Sequence, residues 1–273
     1  MERIKIPITE LEQSLFCTTE SNFRTKTLQE EFNTGVRWQR IPARYMKLSP
    51  EALRVSIQGA KDALRDEVLM LGHHYQREDV IEHSDLQGDS YLLSKLASEK
   101  REAKIIIFCG VHFMAETAEI LSSSKQQVIL PNMAAGCSMA DMASTKQVED
   151  CWARLKNTDT IPVTYMNSTA EIKALCGRNN GIVCTSSNAK EAFDYAYRPQ
   201  AISDMDLESS KVILWKGHCS VHTRFSVNQV EAARAADTNV NVLVHPECTN
   251  DVVSIADYVG STEYIKSMVE KAP

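Results

Sequence analysis

The sequence predicts an α/β protein built on parallel sheets. Three observations carry that prediction: short continuous apolar runs recur along the chain, each ends abruptly in small, polar or histidine-containing residues, and an alanine-rich stretch of helical character follows. Uninterrupted apolar runs read as strands buried on both faces, and their alternation with helices calls for the crossover connections of parallel sheets.

The elements follow in chain order. Residues 1–47 lack strong periodicity and read as an N-terminal extension. Ser49 is a good N-cap, Pro50 suits a first helical position and Glu51 suits the positive end of a helix, so a helix starts there. Leu53, Ile57, Ala60 and Leu64 follow at helical spacing and are expected to form its core face. Three strand runs come next: Val68–Leu71 into GHHYQ (72–76), Ile105–Phe108 into CGVHFMAET (109–117), and Val128–Leu130 into PNMAAGCSMADM (131–142). Ile161–Thr164 then leads into YMNSTAE (165–171), and Ile182–Val183 into CTSSNAKEA (184–192). Val212–Trp215 leads into KGHCSVH (216–222), and Val242–Val244 into HPECTNDV (245–252). These runs group as 48–131, 132–210 and 211–273, so the sequence reads as an extension followed by three small α/β units. Residues 198–210 lack the apolar run expected after a helix over 189–197.

Composition narrows the function. Of 273 residues, 43% are hydrophobic and 24% charged, with a net charge of -6. A mildly acidic globular chain of this kind argues against bulk binding to nucleic acid or to an anionic membrane. No stretch approaches the roughly 20 apolar residues of a membrane span, and Met1–Glu10 has no apolar secretory core, so the expected compartment is the cytosol. The eight cysteines include no C-x-x-C pair, which argues against a zinc ribbon or a thioredoxin-type motif. A disulfide framework is not expected at this length without a secretory signal. Core thiols, a nucleophile, or soft-metal ligands gathered from distant segments remain open.

In parallel α/β sheets, ligands sit beyond the carboxyl ends of the strands, and the chemistry of this sequence lies there. His73, His74, His112, His222 and His245 fall at strand ends, and His218 precedes Cys219. An extended reading of GHHYQ places His73 and Tyr75 on one side, suited to proton transfer or carboxylate binding. GDSY (88–91), TSSNA (185–189) and GSTEY (260–264) are small polar segments at expected helix starts, where hydroxyls and free N–H groups bind anions. Ser90 and Ser186 could equally be plain N-caps there, and Gly260 would let a backbone or ligand approach closely. HPEC puts His245 and Glu247 on one side of an extended chain, with Glu247 a candidate general base. Cys137 and Cys219 each follow a strand beside small residues, so they are either inert core thiols or a pair of soft-metal ligands. No Walker or G-x-G-x-x-G pattern is present, so a nucleotide cofactor is not supported.

Taken together, GHHYQ, GDS (88–90), GVHFMAETA (110–118), AAGCSMADMA (134–143), VTYMNS (163–168), TSSNA, WKGHCSVH (215–222), HPEC and GST (260–262) resemble quinolinate synthase, in the order of that family and over nearly all of 38–272. VRWQRIP (36–42) leans toward the Bacillus-like type. The resemblance implies three similar three-layer α/β domains around a pseudo-threefold axis. It implies condensation of iminoaspartate with dihydroxyacetone phosphate to quinolinate, in de novo NAD biosynthesis. It further implies a [4Fe–4S] cluster held by one Cys from each domain, with an open iron as Lewis acid. Cys137 and Cys219 match two of its ligands. Tyr75, Glu247 and His245 match catalytic positions. His73, Ser90, Phe113, Tyr165, Asn167, Ser186, His222, Ser261 and Thr262 match pocket positions. The implied partners are the two small substrates and, functionally, the enzyme that supplies iminoaspartate, with a homodimer as the assembly. A C-terminal Cys-Pro-type motif carrying the third cluster ligand is not found here, nor is a strand and loop expected near 198–201. A chain short of both segments is therefore expected, with two cluster ligands of three. The rival expectations are a divalent-metal aldolase or hydrolase using His73, His222, His245 and Glu247 on a small carboxylated or phosphorylated substrate, and a non-catalytic small-acid binder.

Overall fold

The computed structural model describes residues 43–133, 135–155, 158, 160–197, 213–215 and 217–272. The expectations for residues 1–42 and 198–210 lie outside these. The chain divides into two compact units, one running up to Cys137 and the other from Ser138 onward.

The first unit holds helices α1 (Ala43–Met46), α2 (Pro50–Leu64), α3 (Glu78–Ile81), α4 (Ser90–Glu99) and α5 (His112–Leu121). Its strands are β1 (Val68–His73), β2 (Leu86–Gly88), β3 (Ile105–Cys109) and β4 (Gln127–Ile129). They form one parallel sheet in the order β2-β1-β3-β4. The chain leaves β1 toward one edge and returns to its other side, so β1 and β3 flank a topological switch point. The register Gly72↔Cys109 puts the carboxyl ends of these strands side by side, and His73 follows directly. That is the crevice where doubly wound sheets bind ligands. Leu71, Leu93, Ile106 and Phe108 are fully buried beneath it, each contributing about 1.5–3 kcal/mol by leaving water.

Ser49 caps α2 through a hydrogen bond from Ala52 N–H, and Pro50 occupies the first turn, as expected. The expected apolar face of α2 is corrected: Leu53 and Ile57 are half-buried, while Ala60 and Leu64 are exposed. Polar contacts tether this helix instead, from Arg54 to Glu82 at 2.9 Å and from Lys61 to Asp85 at 2.6 Å.

The second unit holds α6 (Thr145–Leu155), α7 (Ala170–Arg178), α8 (Ala189–Tyr197), α9 (Val227–Ala236), α10 (Asn250–Ile255) and α11 (Thr262–Glu270). Strands β5 (Val163–Tyr165) and β6 (Ile182–Cys184) form one parallel pair, and β7 (Leu243–Val244) and β8 (Tyr258–Val259) another. Val230, Cys248 and Val252 bury against Val227, Val242, Val244, Val253 and Ile255. The run Val212–Trp215 was expected to be a strand, but its described residues Ile213–Trp215 are irregular.

One substructure occurs twice at a constant sequence offset. In the first unit, β1 ends at His73, a turn leads to α3, Asp85 opens β2, and α4 follows. In the second, β7 leads to His245, a turn leads to α10, Asp257 opens β8, and α11 follows. Asp85 exchanges hydrogen bonds with Met70: its N–H donates to the Met70 carbonyl at 2.7 Å, and its carboxylate accepts from Met70 N–H at 2.7 Å. Asp257 does the same with Val242, at 2.9 and 2.7 Å. Lys61 and Arg234 complete the two pairs, at 2.6 and 2.9 Å. SDLQGDS (84–90) and ADYVGST (256–262) are the matching sequences.

Candidate active site

The site residues are built by those strand-to-helix turns. In the first unit the His73 ring is buried, Tyr75 N–H donates to its Nδ1 at 3.3 Å, and Gln76 N–H donates to its carbonyl at 2.9 Å. An accepting Nδ1 puts the ring proton on Nε2, which faces Ser90 Oγ at 3.4 Å. Burial lowers the imidazole from its ordinary 6.5 to about 4, with His74 adding to the effect, so His73 is neutral at pH 7. The His73 and Tyr75 rings lie 4.8 Å apart, and Tyr75 is largely exposed. They meet through a turn, not through the extended segment that spacing suggested.

Ser90 is not the N-cap of α4. Asp89 is, accepting from Leu92 N–H, which leaves the Ser90 hydroxyl for His73. Phe113 sits in the buried face of α5 beside Met114 and Thr117.

The second unit gathers more of the expected residues. Glu247 N–H donates to His245 Nδ1 at 3.2 Å, and Cys248 N–H to the His245 carbonyl at 3.0 Å, the His73 arrangement again. His245 and Glu247 thus also meet through a turn, not along an extended chain. Burial, helped by His222, lowers the His245 imidazole, against the opposing pull of Glu247. The His222 and His245 rings stack at 4.8 Å.

His222 Nδ1 lies 3.0 Å from Glu247 Oε2. The distance suits an ion pair, yet Nδ1 is buried without a hydrogen bond. His222 Nδ1 is thus an open ligand position. Tyr165, at the end of β5, turns its hydroxyl to Ser186 and Glu247. Burial first, and the Glu247 charge second, hold this phenol far above its ordinary range, so it remains a donor. Cys219 presents its thiol to the same group: one donor atom from each of Cys219, His222 and Glu247 lies within 4.8 Å of the others.

Other expected residues have local roles. Asn167 Nδ2 donates to Met139 Sδ at 3.7 Å. Ser261 caps α11 by accepting from Tyr264 N–H, and Thr262 is the first residue of that helix. The space above Gly260 is filled by the Tyr264 ring, which a Cβ would meet, and not by a ligand. Cys137 and Cys219 are half-buried. Ser138 Oγ and Ser220 Oγ lie 3.1 Å apart, so the residues that follow the two cysteines meet. Asp89 and Cys248 were missed as neighbours of the site. An Asp before Ser in GDSY is itself an N-cap signal, but no sequence pattern marks Cys248.

Among the described residues no helix is long and apolar enough to cross a membrane. The family model described as Quinolinate synthetase A protein matches residues 56–273. A quinolinate synthase of Corynebacterium glutamicum is 45% identical over 277 aligned positions, covering 87% of this chain and 70% of the relative. One from Streptomyces coelicolor is 46% identical, covering 79% and 65%, and one from Bacillus cereus is 44% identical, covering 85% and 74%. The chain thus spans about two thirds to three quarters of the length of these relatives. With a family match over most of its residues and identity at this level, the chain belongs to the quinolinate synthase family of enzymes.

Proposed function

We propose that this chain forms the reaction pocket of a quinolinate synthase, which joins iminoaspartate to dihydroxyacetone phosphate and releases quinolinate, inorganic phosphate and two waters. The observation that carries this reading is the group around Glu247. A carboxylate sits 3.0 Å from one imidazole, beside a second and under a phenol that stays protonated. Such a group can accept a proton from carbon or nitrogen and return it to a departing hydroxyl. We assign Glu247 that task, with His245 and Tyr75 assisting. Neutral His73 and Ser90 act as donors to a carboxylate or phosphate oxygen, as do Tyr165, Ser186 and His222. Asn167, Ser261 and Thr262 belong to the pocket in this reading, and Phe113 to its apolar wall.

The family uses a [4Fe–4S] cluster. Cys137 and Cys219 would hold it, and two half-buried cysteines followed by serines in contact support that role. When bound, the cluster supplies a Lewis-acidic iron to a substrate oxygen or nitrogen. We take the domains as 48–131, 132–210 and 211–273 around a pseudo-threefold axis. The twice-used strand–turn–helix unit with Asp85 and Asp257 supports repetition of one α/β unit. We place the enzyme in the cytosol, supplied by the enzyme that makes the imine, and working as a homodimer.

The test is anaerobic reconstitution with iron and sulfide, followed by quinolinate formation from the two substrates. Cys137→Ser and Cys219→Ser should each lose iron and turnover. An intact cluster in either variant would remove that cysteine from the ligand set.

A further inference from the structure

We infer that Cys219, His222 and Glu247 form a binding site for one divalent metal ion of the zinc type, which shares Cys219 but not Cys137 with the cysteine pair assigned to the cluster. Three donors of suitable chemistry converge there: a thiol, an imidazole and a carboxylate, with ligand atoms all within 4.8 Å of one another. Around a tetrahedral zinc, bond lengths near 2.0–2.3 Å put neighbouring ligand atoms about 3.3–3.6 Å apart. The His222–Glu247 separation of 3.0 Å already falls near that spacing, and closing the rest takes a movement of about 1 Å.

The second observation is the state of His222. Its Nδ1 is buried and makes no hydrogen bond, although a carboxylate oxygen lies beside it. A metal seated between nitrogen and oxygen satisfies both. The outer shell is present as well: the Tyr165 hydroxyl faces Glu247, and the His245 ring stacks on His222. His245 itself is not a ligand through Nδ1, which is taken by Glu247 N–H. Three protein ligands leave the fourth position for water, as in open zinc sites. On binding, the Cys219 proton passes to solvent and its sulfur lone pair goes to the metal, with no change of oxidation state. Because Cys219 serves both sets, the ion and the cluster exclude each other.

The test uses the whole chain, freed of iron and reduced, titrated anaerobically with cobalt(II) and then with zinc(II). The expected result is one equivalent of cobalt with a thiolate-to-metal charge-transfer band and tetrahedral visible bands, both removed by one equivalent of zinc. Cys219→Ser should abolish the charge-transfer band. His222→Gln and Glu247→Gln should each weaken binding by more than the roughly 10-fold to 100-fold that loss of an outer-shell partner costs, and Cys137→Ser should leave the titration unchanged. Zinc-loaded protein should fail to take up iron. The charge-transfer band surviving in Cys219→Ser would overturn the site. So would its loss in Cys137→Ser, because Cys137 would then be holding the ion in place of His222 or Glu247. Failure to bind cobalt by a chain that still assembles its cluster would defeat this site and leave the quinolinate synthase reading standing.

Discussion

Tyr75 and Glu247 occupy the same position in two copies of one structural unit: the backbone N–H of each donates to Nδ1 of the strand-end histidine two residues earlier, at 3.3 Å to His73 and 3.2 Å to His245. The histidine is fixed by the backbone of that residue, so its tautomer does not depend on the side chain there. Tyr75→Phe and Glu247→Gln should therefore fold normally and keep the same histidine tautomer. Each should lose roughly 100-fold or more in turnover, the usual worth of a positioned acid or base. Steady-state quinolinate formation checks this, with the histidine ring signals in NMR as the structural control. A rate within a few-fold of the parent removes that residue from the proton-transfer role.

The buried neutral His73 makes stability depend on pH. An unfolded histidine titrates near 6.5, whereas His73 takes up its proton only near 4. Between those values the unfolded chain binds more protons, so stability falls as pH drops from about 6.5 toward 4 and this contribution is level outside that window. At pH 5 the loss is about 2 kcal/mol relative to pH 7.5. Urea unfolding of iron-free protein at the two pH values measures it. His73→Gln should flatten the difference by that amount, and an equal pH dependence in parent and variant would refute the buried neutral state.

Strand ends and helix starts were legible because each has a local cause. Continuous apolar runs marked β1, β3, β4, β5, β6 and β7, and Ser49-Pro50 marked the start of α2. β2 and β8 were not legible. They are short, carry no apolar run, and are held by a long-range exchange between Asp85 and Met70 or Asp257 and Val242. The likeness of SDLQGDS to ADYVGST was the available signal, and it becomes convincing only once both aspartates are seen bonding to a neighbouring strand. The face of α2 misled for a related reason. Its period is helical, but its partners are Glu82 and Asp85, so charge and not apolar burial anchors it. In the site, residue types pointed to Glu247, His245 and His222, but only the turn after β7 explains how they converge.

Tyr165 is a donor to Glu247 that burial keeps protonated. Tyr165→Phe removes one hydrogen bond from a carboxylate, worth about 1.5–3 kcal/mol when one partner is charged. Turnover should fall about 10-fold to 100-fold, less than for Glu247→Gln because the carboxylate remains. Tyr165→Phe kinetics alongside Glu247→Gln and the double variant check the order. A double variant no slower than Glu247→Gln alone indicates that Tyr165 acts through Glu247, and fully multiplicative losses would refute that coupling.

The paired aspartates give the last prediction. Asp85 and Asp257 each accept a backbone N–H from the neighbouring strand or its start, Met70 and Val242, at 2.7 Å. Their cationic partners are partly exposed, so the ion pairs themselves contribute little. The larger effect is the strand N–H that loses its acceptor. Asp85→Ala and Asp257→Ala should each cost about 0.5–1.5 kcal/mol. Asp→Asn, which keeps an accepting oxygen, should cost distinctly less, and added salt should not mimic the alanine variants. Urea midpoints of the four variants, with hydrogen exchange at Met70 and Val242, measure both effects. Faster exchange confined to the altered unit is the expected signature. An alanine variant no less stable than its asparagine counterpart would show that the carboxylate-to-strand bond is not what fixes β2 or β8 to its neighbour.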